Sequence, residues 1–528
     1  MRHAFRLVAV VLWVAACGVP ALAQNTAAGS VAVAPAMLNG LPWRGIGPAA
    51  TGWRIADIAV AKVPGAPAEI YVATTSGGIF KSVNEGVSFA PVFDNAGGMM
   101  SMGAIAVAPS NPSVVWAGTG EADNRQSSSW GDGVYKSTDG GRTWQKMGLE
   151  ETRHIGKIVI HPTDPNTVYV AAVGHLWGSN PDRGVYKTTD GGKSWRKVLY
   201  RDDHTGAIDL DMDPKDPEVV FAAMYQRQRK GWGFNGGGPG SGIYRTNDGG
   251  ANWTELKNGL PRGDKGRIGL AIFPGDNRIV YAIVEADPPG FGGGRGGGGA
   301  TPIPGFAAAE GESAAAPAGA TAVPAGRVGG GRGDSASPAP PEAGRGGGGR
   351  GGGGRGAVAG GAAGTTQQGG VFRSLDQGES WEHMTGLNPR PSYYSRIYVD
   401  PKDADRVYIM GSNRGFYISD DAARSFREVF SGVHGEDHTL WVDPDNTNRL
   451  IIGGDGGVSI SYDRGLTWLF RLNLPIGQFY NISVNNQDPF LVCGGLQDNG
   501  SWCTPSASRM SHGVSFKDAF NIGSGDGM

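Results

Sequence analysis

Ser137-Thr138-Asp139-Gly140-Gly141-Arg142-Thr143-Trp144 sets the pattern on which this chain is read: Ser/Thr-x-Asp-x-Gly-x-Ser/Thr-Trp. The pattern returns from Thr188 to Trp195, Thr246 to Trp253, Ser374 to Trp381 and Ser461 to Trp468. Worn copies run from Ser82 to Phe89, with Asn84 for the Asp, and from Ser419 to Phe426, with Ala423 for the Gly. Self-similarity at this spacing is the signature of a propeller or solenoid. Asp and Ser/Thr side chains bond nearby backbone N–H groups and lock a turn. Glycine supplies the positive φ such a turn needs. The closing Trp starts the next strand and buries its ring between sheets. Asp139, Asp190, Asp248, Asp376 and Asp463 therefore read as structural residues of pinned hairpins, not as reacting acids.

Working outward, each copy follows two strand signals. Lys157-Ile158-Val159-Ile160-His161-Pro162 is apolar and ends at a proline. After the polar turn Thr163-Asp164-Pro165-Asn166 comes β-branched and aromatic Thr167-Val168-Tyr169-Val170-Ala171. A variable loop, the strand Gly184-Val185-Tyr186-Lys187, the hairpin and a fourth strand complete the unit. Four short strands per unit make a propeller blade. The strand pair starts near Ile55, Gly103, Gly156, Ala207, Arg267, Arg396, Thr439 and Tyr480. The expected fold is all-β: a β-propeller of seven or more four-stranded blades. The eighth unit carries no clean motif. Either seven blades precede the start of a second propeller or the ring is larger, and a C-terminal truncation is expected.

The chain has 528 residues and a net charge of −2, which gives no electrostatic reason to expect a nucleic-acid partner. Glycine is abundant at 91 residues, as suits a turn-rich chain. Residues 1–23 read as an export signal. Arg2 and Arg6 precede the short apolar run Leu7 to Ala16, and Ala21-Leu22-Ala23 offers a cleavage site. Val14-Ala15-Ala16-Cys17 also fits a lipobox, which would anchor Cys17 through a lipid. No later run is long and apolar enough to span a membrane. The expected location is periplasmic or secreted, where Cys493 and Cys503 would pair. Two free buried thiols are the alternative.

Propeller blades are expected over 41–287 and 371–528. Between them, 288–370 is Gly, Ala, Pro and Arg with almost no large apolar residue, so it reads as a disordered insertion in the fifth blade.

Blade topology sorts the loops by face. The long ones, Glu121 to Asp132, Gly174 to Arg183, Tyr225 to Ser241 and the insertion, share one face, where binding is expected. That face collects Trp130, His175, Trp177, Arg227, Arg414, His434, Asp437 and His438 as candidate ligand-binding residues. Flat aromatics with acids and amides suit a glycan by stacking and hydrogen bonding, and a polypeptide nearly as well. His434, Asp437 and His438, with His204 or Asp203, could hold a metal, but their spacing is no known metal signature, and hydrogen bonding to loop backbone is the preferred reading. No metal or cofactor is expected. Glycoside hydrolysis needs two carboxylates across a cleft, and Glu121, Glu285, Asp455 and Asp498 are the candidates. Each also reads as an acid that orders its loop.

The motif set resembles the Asp-box (BNR) repeat of sialidases, xyloglucanase-type glycoside hydrolases and sortilin-type receptor domains. The chain is most similar to exported bacterial proteins of that repeat class, at Trp43-Arg44-Gly45-Ile46-Gly47-Pro48, Gly77-Gly78-Ile79-Phe80-Lys81-Ser82, His434 to Pro444, and Gly495-Leu496-Gln497-Asp498-Asn499-Gly500. The resemblance implies an Asp-box propeller. In xyloglucanase-type enzymes a first-blade Asp stands two residues before a Gly-Gly pair; the matching position here is Thr75, which cannot act as an acid or base. A sialidase would need an arginine triad, for which Arg54, Arg227 and Arg414 are available without a selecting spacing. The chain is thus expected to bind a glycan or polypeptide on its long-loop face. Hydrolysis of a polysaccharide, or a scaffold role in a larger envelope protein, are the alternatives.

Overall fold

The computed structural model describes residues 54–286 and 368–527, apart from 64, 126, 127, 231, 232, 413, 431–434, 472, 475 and 512. The export signal, its cleavage site, Cys17 and the stretch read as an insertion lie outside the described residues.

Among the described residues, seven four-stranded antiparallel blades form a β-propeller. Their innermost strands are Ile55–Ala61, Met102–Ala108, Ile155–Ile160, Thr205–Met212, Lys265–Ile272, Ile397–Asp400 and Gly435–Val442. The second strands lie deep in the blades. Val168–Ala172 is covered at each of its positions, because both of its faces meet neighbouring blades. This is why such strands read as continuous apolar runs and not as alternating ones. Burial falls outward, and the outermost strands Ala90–Pro91 and Gln145–Lys146 are short and exposed. In the fifth blade, Val280–Ala286 pairs with Gly370–Ser374 across the intervening segment.

Blade seven returns to blade one. Ile451, Val458 and Ile460 pack with Ile55, Ile58, Ile70 and Val72 in one core cluster. Thr439 Oγ1 donates to Asp57 at 3.0 Å across the seam. The ring thus closes with seven blades. The eighth unit forms a separate four-stranded sheet, Phe479–Val484, Leu491–Leu496, Ser501–Pro505 and Phe520–Gly523. A disulfide joins its facing residues Cys493 and Cys503.

The hairpins show why the repeat has its sequence. Ser137 Oγ accepts the Gly141 N–H at 2.8 Å and donates to Asp139 at 2.8 Å. Asp139 also accepts the Thr143 N–H at 2.9 Å and its hydroxyl at 2.6 Å. The same bonds recur at Asp190, Asp376, Asp421 and Asp463. At Asp248 the Asn252 amide replaces the hydroxyl, at 2.8 Å. Hydrogen bonding from Thr467 and Ser461 holds the Asp463 carboxyl down at about 2. All of these aspartates stay on the hairpin face, away from the long loops. Trp144 and Trp195 each donate from Nε1 to the preceding blade, to Val92 O and Met147 O, both at 2.7 Å.

A β-bulge interrupts the innermost strand near its start in blades one to five, in blade seven and in the eighth sheet. A bulge inserts one residue, bends the strand and re-aims a side chain. In blade three the extra residue is Gly156, where a Cβ would meet Ile208 O at 2.3 Å. Neighbouring innermost strands approach too closely there for any side chain.

Candidate functional site at the long-loop face

The loop leaving the second strand of blade two turns at Gly120, which has φ +87 and whose Cβ would lie 1.8 Å from Arg153 O. The next five residues, Glu121 to Arg125, cross the channel mouth and bond to most of the other blades. Glu121 accepts from Arg54 of blade one at 2.8 Å. Arg227 of blade four donates to Ala122 O at 2.8 Å and Asp123 O at 3.2 Å. Asp123 Oδ1 takes both Arg267 of blade five, at 2.9 Å, and Arg396, just before blade six, at 3.1 Å. Asn124 donates to the Tyr225 hydroxyl at 2.7 Å. Arg125 donates to the Tyr393 hydroxyl at 2.9 Å and to Asp455 of blade seven at 3.2 Å. This segment plugs the channel with charge-assisted bonds, which are the strong ones.

His438 is the bulged residue of blade seven. Its ring lies between two carboxylates, with Nε2 2.7 Å from Asp455 Oδ1 and Nδ1 3.5 Å from Asp123 Oδ2. The Tyr393 ring meets it edge-on, at 5.1 Å between centroids. Burial works against charge on Asp123, but Arg396, Arg267 and His438 overcome it and hold the carboxyl far below its usual range. Asp455 is likewise buried, and His438 and Arg54 hold it far below the usual range. Glu121 goes the other way: burial, with Asp123 and Asp455 nearby, raises its carboxyl to about 7 against the pull of Arg54 and Arg125. Its Oε1 has no hydrogen-bond partner among the described residues. Burial and the Asp455 charge push the Tyr393 hydroxyl well above its ordinary value.

Beside the plug, where the ring meets the eighth sheet, carboxylate oxygens of Glu436, Asp455 and Asp498 lie within 4.8 Å of one another. Burial and Asp455 raise the Glu436 carboxyl. Arg390 pairs with Glu436, and Arg125 approaches Asp498 at 3.7 Å. Asp498 holds a left-handed backbone, φ +62, which is uncommon without glycine. Asn499 Nδ2 donates to Asp455 O at 3.1 Å, tying the sheet to blade seven.

Between blades two and three the face is open. Trp130 is 60% exposed and Trp177 52%. The Arg153 guanidinium lies 5.5 Å from the Trp130 ring centroid and donates to both oxygens of Glu151, at 3.0 and 2.9 Å. Glu151 Oε2 in turn lies 3.8 Å from His175 Nε2, two residues before Trp177. A polar line of guanidinium, carboxylate and imidazole thus runs from the Trp130 ring to His175.

The expected site residues therefore separate. Trp130 and Trp177 are exposed, and His175 is half-buried. Glu121, Asp455, Arg227, Asp437 and His438 are buried in or beside the plug. Asp498 stands at the junction with the eighth sheet. Glu285 accepts the Arg267 N–H at 2.8 Å in blade five. Arg414 pairs through its backbone with Gly435, and His434 lies outside the described residues. His204 bonds through its N–H to Asp202 at 2.8 Å. Thr75 is buried and takes the Arg54 Nε–H at 3.2 Å. Arg125, Arg267, Tyr393, Arg396 and Glu436 escaped sequence reasoning. A usable signal existed for the arginines: Arg54, Arg267 and Arg396 each precede an isoleucine in the first half of an innermost strand.

A family model described as "Sortilin-Vps10: Sortilin, neurotensin receptor 3" matches residues 132–264 and 369–493. A xyloglucanase from Paenibacillus sp. is 26% identical over 309 residues, which is 51% of this chain and 27% of that protein. A probable oligoxyloglucan-reducing end-specific xyloglucanase from Neosartorya fischeri is 28% identical over 188 residues, 30% of this chain and 20% of that protein. The matches thus span about a quarter or less of those curated relatives. The GH74 xyloglucanase from Xanthomonas campestris superposes with a TM-score of 0.54 at 14% identity, covering 87% of this chain and 60% of that one. An ancestral GH74 enzyme gives 0.52 at 15% identity, covering 87% and 54%. At these identities the superpositions speak for the fold alone. The chain is a β-propeller that resembles sortilin-type and xyloglucanase-type repeat proteins.

Proposed function

We propose that this chain is an exported propeller that binds a glycan on its long-loop face, in the patch of Trp130, Arg153, Glu151, His175 and Trp177. The exposure of both tryptophans carries this reading. Large indoles are normally covered, and an exposed pair on loops fixed by a rigid scaffold marks a binding surface. Each offers a flat face to a sugar ring, while the polar line from Trp130 to His175 offers donors and acceptors. The xyloglucanase relatives supply the substrate class by analogy. The test is a glycan array on the full chain, repeated with Trp130→Ala and Trp177→Ala. Loss of binding in both variants supports the reading. Unchanged binding places the ligand elsewhere, and capture of polypeptides but no glycan replaces the class.

Hydrolysis is the second reading, favoured by Glu436. Its raised carboxyl lies beside Asp455, which is held ionised, and Asp498. Environments that push neighbouring carboxyls apart are how acid and base roles are divided. Reducing-sugar release that disappears in both Glu436→Gln and Asp498→Asn would establish it. Asp123 does not serve, being buried under its ion pairs, and Thr75 has no titrating group.

A further inference from the structure

The plug closes one end of the propeller channel, and a cavity of about 270 Å³ lies in the channel. Its walls come from the innermost strands of six blades, with Pro274 and Pro401 near the opposite face. Most of the lining is aliphatic. Ionisable side chains interrupt it, among them Asp57 from blade one, Lys157 from blade three, and Asp209 and Asp211 from blade four.

The three aspartates have a structural duty that leaves capacity over. Asp57 Oδ2 accepts the Ile105 N–H at 3.1 Å, Asp209 Oδ2 the Leu270 N–H at 2.9 Å and Asp211 Oδ2 the Ile272 N–H at 2.7 Å. Each stitches its innermost strand to that of the next blade. Asp57 also accepts from the Ile58 N–H and the Thr439 hydroxyl, and Asp209 and Asp211 each accept the N–H of the following residue; with about four lone-pair sites to a carboxylate, acceptor capacity remains on each. Lys157 is different. It feels the charges of Asp57 and Asp209, yet its ammonium has no hydrogen bond or ion pair among the described residues. Three donors therefore line the cavity unused. Arg396 and Arg267 also border the lumen, but Asp123 engages both.

A cation in this well would face the Lys157 ammonium, and an anion would face three carboxylates. A hydroxyl group suits both, donating to a carboxylate and accepting from the ammonium. Tyr398 and Trp441 add aromatic wall. We propose that the channel is a second binding site, which takes a small neutral polyhydroxylated molecule of monosaccharide or cyclitol size between Lys157 and Asp57, Asp209 and Asp211. This is independent of the tryptophan patch, which lies on the far side of the plug.

The test is saturation-transfer NMR on the full chain with D-xylose and myo-inositol, in buffer free of glycerol and sugars. Transfer is expected for at least one probe, with Kd on the order of millimolar. Lys157→Met should weaken it roughly tenfold or more, the loss expected for a charged donor. Trp130→Ala with Trp177→Ala should leave this signal intact, which separates the well from the surface patch. Circular dichroism qualifies each variant. If Lys157→Met does not fold, Lys157→Gln, which keeps a donor, should retain part of the binding. No transfer with either probe overturns the proposal, because the well then holds water alone. Transfer that survives Lys157→Met, or Lys157→Gln at full strength, overturns it too.

Discussion

Strands Ile55–Ala61 and Phe479–Val484 hold the same place in their sheets. Each opens a four-stranded antiparallel meander and each carries a bulge just after its first residue. The first is buried almost throughout, and the second is exposed at every position. The difference is neighbours. Blade one lies between blades seven and two, so Ile55 and Ile58 are covered from the side, whereas Phe479, Tyr480, Ile482 and Val484 are not. Apolar pattern marks where a sheet could be covered; burial is conferred by what stands beside it. The ring has a second resource in its plug, which ties the blades together through buried charge. The eighth sheet instead has the Cys493–Cys503 disulfide. Ring and sheet should therefore fail differently.

The largest effect should come from Asp123→Ala. It leaves the Arg267 and Arg396 guanidiniums buried without their carboxylate, a loss of about 3–5 kcal/mol for breaking such a pair. Chemical denaturation of the ring, followed by tryptophan fluorescence, reads this directly. Asp498→Ala at the half-buried junction should cost far less. Equal losses would mean that the plug does not hold the ring.

Next comes pH. Glu121 binds its proton more tightly in the folded chain, at about 7 against an ordinary 4.5. The native state is therefore favoured fully below about pH 4.5, and that advantage disappears as pH rises through about 7. The size is on the order of 3 kcal/mol. Asp123 and Asp455 work oppositely: their depressed values stabilise the fold above the ordinary carboxylate range and are lost as pH falls toward their folded values. Stability should thus peak in mildly acidic solution. Glu121→Gln should flatten the neutral side of that curve and leave the acid side. An unchanged slope above pH 5 would remove Glu121 from the account.

The disulfide should matter only to the sheet. Its two cysteines are separated by 10 positions, for which loop-closure entropy gives about 2–3 kcal/mol. Cys493→Ser with Cys503→Ser should speed hydrogen exchange in 479–523 and leave the ring's strands protected. Loss of protection in both would mean that sheet and ring form one cooperative unit.

The ring was the part most open to sequence reading, because its order is local. A hairpin pinned by Ser137, Asp139, Gly141 and Thr143 needs only eight consecutive residues. The two strands ahead of it announce themselves through β-branched and aromatic runs. The sorting of loops onto two faces followed from that order, and it placed Trp130, His175 and Trp177 on one surface. The plug was hidden because its partners are scattered: Asp123 meets Arg267 and Arg396, and Arg125 meets Asp455. Burial of Asp455 and His438 was equally hidden. An acid after a second strand reads alike whether it points to solvent or into the channel, and the bulge at His438 that settles this leaves no mark in composition.

The smallest effect sharpens the comparison most. Ser137→Ala removes the acceptor for the buried Gly141 N–H and one donor to Asp139. An unmet buried donor costs about 1–2 kcal/mol, so the ring's denaturation midpoint should fall slightly with its slope unchanged. Six other hairpins carry the equivalent Ser or Thr, and each such loss should be similar and additive, since the hairpins share no partners. In the eighth sheet the third and fourth strands are joined by residues 506–519, which carry no copy of the eight-residue pattern, and Ser501 opens the third strand outside any such hairpin. Ser501→Ala should therefore leave stability nearly unchanged. If Ser501→Ala cost as much as Ser137→Ala, the hairpin motif would not be what distinguishes a blade of the ring from the sheet beside it.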